Sequence, residues 1–121
     1  MLALSILAWV LSGLLALMNV MAGVIKLVQP HGGKEPMLTL LDYSKTGVRL
    51  IGTAELLGAI GLVLPMLLGI AEFLTPLAAL GIAIIQLLAI PAHRKHNEPF
   101  SKNIVLAVMA IAVVALRAAG I

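Results

Sequence analysis

The chain has 121 residues, 62% of them hydrophobic and 11% charged, where soluble proteins carry about 25% charged residues, so the composition excludes a soluble globular protein. It reads as a single integral membrane domain over residues 1–121, with room for about four spans of roughly 20 apolar residues and no extramembrane domain. The net charge of +3 is expected from basic residues flanking the spans rather than from nucleic-acid binding, and the absence of cysteine excludes thiolate metal sites, CxxC exchange and c-type haem attachment.

A first span is expected over about residues 4–28, because its apolar run is too long for a signal peptide and no basic segment precedes it. Pro30, His31, Gly32 and Gly33 end it. Ala16, Asn19, Gly23 and Lys26 fall at i, i+3, i+7 and i+10, which sets them on one helical face. Small residues on that face allow another helix to approach. Lys26, near the end, is expected to snorkel toward the headgroups. Residues 29–46 form the longest polar segment, with Lys34, Glu35, Asp42, Lys45 and an interfacial Tyr43. A short helical turn is expected around residues 37–43.

The second span, about residues 47–65, reads GVRLIGTAELLGAIGLVLP and carries Glu55 near its middle. A charge at mid-bilayer costs about 2.5–3.5 kcal/mol, so the other helices must supply this acid with partners or keep it protonated. Gly52 and Ala59 lie one turn either side of it. Arg49 precedes it by six residues, roughly 120° round the helix and about 9 Å along the axis, which excludes a simple same-helix pair. Pro65 is expected to end or kink the span. After an apolar connector holding Gly69, Glu72 and Phe73, Thr75 and Pro76 read as N-cap and N1 of a third span, about residues 76–93. Ala79, Ala83, Gln86, Ile90 and His93 share one of its faces, and Pro91 should loosen its last turn. A polar loop over 94–102 leads to a fourth span, about residues 101–119, with no polar side chain between Asn103 and Arg117. This span is expected to be packing and lipid-facing material, with Arg117 at the far interface. The fold class is all-α, a four-transmembrane-helix bundle.

On a common depth scale, Asn19 lies seven residues from Lys26, and Gln86 seven from His93, so both amides sit roughly 10 Å inside the basic boundary. Glu55 lies at a similar depth. The candidate buried polar or ligand site is therefore Glu55, Asn19 and Gln86, with Lys26, Arg49 and His93 below them. Such a constellation can be interhelical hydrogen bonding worth about 0.6 kcal/mol per contact, a ligand or proton site, or part of a pathway through the bundle. No nucleophile arrangement is visible, and Gly52, Gly58 and Gly61 lie inside an apolar span, where they serve packing rather than phosphate binding. His93 and His96 with Glu98 lack the HExxH pattern of a helical zinc site, so neither a metal site nor a catalytic residue is expected. His31, beside two glycines, reads as an exposed loop residue. Lys26, Lys34, Lys45, Arg49, Arg94, Lys95 and Lys102 flank one side of the spans and only Arg117 the other. That asymmetry favours loops 29–46 and 94–102 in the cytoplasm and both termini outside.

The order and spacing of several motifs resemble the DoxX-like family of small four-helix membrane proteins. They are Ala22-Gly23-x-x-Lys26, Gly52-x-x-Glu55-Leu-x-Gly-x-x-Gly-Leu-x-x-Pro65, Leu74-Thr75-Pro76-Leu-Ala-Ala79, His93 with Glu98, and the last segment from Asn103 to Arg117. Gln86 departs from the apolar or Met position of many relatives. The resemblance implies a multi-pass protein of the bacterial inner membrane. Some relatives are associated with redox complexes, including membrane subunits of thiosulfate:quinone oxidoreductases and partners in oxidative-stress protection. The implied role is a non-catalytic accessory or scaffold subunit with no resident cofactor and, at most, a quinone contact. Its partners would be the lipid bilayer and a second copy or a redox partner subunit, and no nucleic acid. The alternative is a minimal proton-coupled small-molecule transporter resembling the small multidrug resistance type. Those proteins carry their essential Glu in the first helix, whereas this acid is in the second.

Overall fold

Leu2–Val28 forms α1, Leu38–Leu41 the short α2, Lys45–Leu68 α3, Leu74–Lys95 α4 and Ser101–Ala118 α5. These elements come from a computed structural model that describes residues 2–32 and 38–121. The four long helices are each long and apolar enough to cross a membrane. Only 22–28% of each span is buried within the protein, so most of their apolar side chains face outward, as lipid rather than water would require. Neighbours form a closed ring: α1 packs on α3, α3 on α4, α4 on α5 and α5 back on α1, with α2 against α4. The ring closes over a core of Leu15, Ala16, Ala59, Leu62, Ala79, Ile82, Ala83, Leu106, Ala110 and Val113. Alanines recur there because lipid is as apolar as a leucine core, so close packing rather than burial holds such helices together.

The tightest approach is between α1 and α3. A Cβ on Gly52 would lie 2.8 Å from the Gly23 carbonyl oxygen and 2.9 Å from Lys26 Cβ, and one on Gly23 would lie 2.7 Å from the Gly52 oxygen. Two glycines therefore face each other at this crossing, and neither tolerates a side chain without pushing the helices apart.

Several ends differ from the sequence expectation. α3 starts earlier, at Lys45, with Ser44 as N-cap accepting from Gly47 N–H at 3.0 Å. It also runs past Pro65 for most of another turn. Proline has no N–H to give the carbonyl four residues back, which would leave Gly61 oxygen unpaired in an apolar medium. Thr75 Oγ1 supplies the missing donor at 2.7 Å. Thr75 is thus not an N-cap: α4 begins at Leu74 behind Phe73, which makes no side-chain cap, and the threonine hydroxyl serves the neighbouring helix. α3 closes at Gly69 (φ 67°), where the N–H groups of Gly69 and Ile70 both reach the Pro65 oxygen. α4 continues through Pro91 to Lys95. Of the turn expected around residues 37–43, Leu38–Leu41 is helical. Met37, Lys34 and Glu35 lie outside the described residues.

Candidate buried polar site

Gly23 and Gly52 each stand one turn before a charge, Lys26 on α1 and Glu55 on α3, and the two helices run in opposite directions. Helical side chains lean toward their own N-terminus. Lys26 therefore leans deeper into the bundle, while Glu55 leans back toward the basic end. With the backbones this close, the lysine stem passes over Gly52 and its Nζ lies 2.8 Å from Glu55 Oε1. The carboxylate is 2% exposed and the lysine 22%. The lysine does not snorkel to the headgroups as its position near the helix end suggested; the vacant face of Gly52 lets it turn inward. A buried pair of this kind is neutral as a unit, and removing one partner strands the other.

The two amides at matching depth do not join the acid. Asn19 Nδ2 donates to Leu15 oxygen on its own helix at 2.8 Å, and its Oδ1 is buried without a hydrogen-bond partner among the described residues. Gln86 Oε1 accepts from Asn103 Nδ2 on α5 at 2.8 Å, pinning α4 to α5. Arg49 is exposed and donates from Nε to the Leu27 oxygen at 3.3 Å. His93 belongs to a separate cluster at the basic end. Its Nδ1 lies 3.1 Å from both Thr39 Oγ1 and Glu98 Oε1. Thr39 donates to the same carboxylate oxygen from its hydroxyl and, at 3.2 Å, from its backbone N–H. This cluster clamps α2 onto the end of α4 and the following loop. Of the six residues only Lys26 and Glu55 meet; Asn19, Gln86, Arg49 and His93 each have other partners.

A second contact holds the same loop. Asp42 Oδ2 lies 2.7 Å from His96 Nε2 and 3.8 Å from Lys95 Nζ. The hydrogen bond from His96, with the nearby positive charges, holds the Asp42 carboxyl below its usual range. His31 is not simply a free loop residue, since its Nε2 lies 2.8 Å from the Tyr43 oxygen. Among the described residues no three His, Asp or Glu side chains are grouped to hold a metal.

At the opposite end Arg117 is only 7% exposed, its side chain held against the bundle. Its guanidinium stacks 4.7 Å from the Trp9 ring centroid, and Nη1 donates to the Ile121 oxygen at 2.7 Å. Trp9, Ser12, Thr39 and the partnership of Asn103 are not evident from local sequence context. One signal was available: Ser12, Asn19 and Lys26 recur every seven residues, two turns of one helical face. A last feature is an apolar groove of about 690 Å³ between α3 and α4, with Leu57, Gly58, Gly61, Leu64, Leu77 and Gly81 among its walls.

Comparison with known proteins gives one family: a model described as the DoxX-like family matches residues 10–116. No curated protein and no solved structure matches the chain.

Proposed function

The chain belongs to the DoxX-like family, and on that premise we propose that it acts as a non-catalytic accessory or scaffold subunit in the bacterial inner membrane, beside quinone-linked redox chemistry. The observation that carries this reading is the Lys26–Glu55 pair. A proton-coupled transporter needs a carboxylate free to exchange its proton with substrate, whereas this one is held 2.8 Å from a cation on a tightly crossed helix. Such a pair serves to fix two helices in register. The groove between α3 and α4 supports the quinone contact, since it is apolar and bounded by glycines. The basic asymmetry of the loops supports both termini outside, with 29–46 and 94–102 in the cytoplasm.

Purification in mild detergent followed by native mass spectrometry tests the reading. Retention of a redox partner subunit, or of a quinone lost when Gly58 or Gly61 is enlarged, is the expected result. An isolated protein without partner or quinone, giving proton-coupled uptake in liposomes that Glu55→Gln abolishes, would establish the transporter instead. Fusions after Ile121 test the orientation: alkaline phosphatase should be active and a cytoplasmic fluorescent reporter dark.

A further inference from the structure

Arg117 is the one strongly buried cation among the described residues, and no Asp or Glu side chain lies within ion-pair distance of it there. Its residue is 7% exposed, yet Nε and Nη2 are both buried without a hydrogen-bond partner among the described residues. Those two nitrogens form one edge of the guanidinium, the edge whose parallel N–H groups match two oxygens of an oxyanion. The protein occupies the rest of the group: Nη1 with the Ile121 oxygen, and one face with the Trp9 ring. One turn deeper on the same face of α1, Ser12 is fully buried and its Oγ also has no partner. Buried donors left unpaired are rare, and a charged one is the most costly kind. Glu72, in the connector at this end, is exposed and beyond ion-pair distance, although its negative charge still acts on the guanidinium.

Depth selects the kind of anion. Sixteen residues of α5 separate Ser101 from Arg117, about 24 Å of helix, which brings the guanidinium to the far boundary of a hydrocarbon core about 30 Å thick. The oxyanions concentrated at that level are phosphates. We propose that the free Nε/Nη2 edge of Arg117, backed by Trp9, is a receptor for a phosphate group, supplied either by a lipid headgroup or by free phosphate.

Trp9 is the only tryptophan in the chain, so its emission reports this site directly. The full-length protein, stripped of lipid in a neutral detergent, is titrated with inorganic phosphate, with phosphatidylglycerol in mixed micelles, and with acetate. A saturable change in Trp9 emission together with a raised melting temperature is expected for a phosphate source. A response to phosphatidylglycerol alone assigns the site to lipid, and a response to both probes assigns it to the phosphate group itself. Arg117→Lys keeps the charge but loses the fork, and should bind at least about tenfold more weakly. Glu72→Gln should bind as well as wild type or somewhat more tightly, since it removes a negative charge that acts on the guanidinium. Silence of the wild-type protein toward both phosphate probes overturns the proposal, whether or not the variants fold. So does an equal response to acetate, or a response that appears only when Glu72 is neutralised, which would make Glu72 the native partner of the edge.

Discussion

The two ends of the bundle treat charge in opposite ways. At the basic end charges are answered from within the chain: the buried or partly buried Lys26 by Glu55 and Glu98 by Thr39 and His93, and the exposed Asp42 by His96 and Lys95. At the end that holds Trp9, a buried arginine keeps one edge without a partner among the described residues and meets an aromatic face and the Ile121 oxygen. Both solutions meet the same constraint, that a charge at membrane depth must be accommodated. The first uses a partner on an adjacent helix and so locks the two helices together. The second leaves a buried edge without a hydrogen-bond partner among the described residues.

That contrast is most easily broken at Lys26. Lys26→Met leaves a carboxylate 2% exposed with no cation, and is expected to destabilise the protein by about 3 kcal/mol in a detergent unfolding assay. Glu55→Leu should cost less, about 1–3 kcal/mol, because the lysine is already partly exposed and can turn outward. Combining Lys26→Met with Glu55→Leu should recover most of the loss. If the double variant is as unstable as Lys26→Met alone, the pair is not the unit described.

Next in size is the crossing that makes the pair possible. Gly52→Ala places a methyl group against the Gly23 backbone oxygen and the lysine stem, and should cost about 1–3 kcal/mol by forcing α1 and α3 apart. The same substitution at Gly13, where a Cβ meets nothing within 4 Å, should be neutral. Equal melting temperatures for the two variants would show that the close approach carries no weight.

At the other end the expected sign changes. Arg117→Met removes a charge that no Asp or Glu side chain pairs with among the described residues, so lipid-free protein should stay within about 1 kcal/mol of wild type or gain stability. A loss as large as that of Lys26→Met would mean that the two ends are alike after all.

The smallest effect is at the loop surface. The Asp42 carboxyl is depressed below its ordinary value of 3.8, chiefly by the His96 hydrogen bond. A depressed acid contributes stability that is present above its unfolded pKa and is lost as pH falls through the folded one. Melting temperature should therefore drop slightly more between about pH 6 and about pH 3 in wild type than in Asp42→Asn. Identical acid profiles would show that the contact is not formed.

Amino-acid order by itself determined the number of spans, their approximate limits, the small-residue faces around Asn19 and Glu55, and the common depth of Asn19, Glu55 and Gln86. All of these follow from the rise and period of a single helix and from the cost of polarity in lipid. Which side chains meet was decided only by the tertiary structure. Depth matching drew Asn19 and Gln86 toward Glu55, but the ring order α1–α3–α4–α5 hands Gln86 to Asn103 and the acid to Lys26. Thr75 looked like a helix start because its local context is that of an N-cap, whereas a carbonyl orphaned by Pro65 on another helix claims its hydroxyl. Arg117 looked like an interface anchor because nothing local shows that Trp9, more than a hundred residues earlier, stands beside it. Periodicity assigns a residue to a face and a level; which helix lies opposite, and how far a flexible side chain reaches across a glycine crossing, are properties of packing.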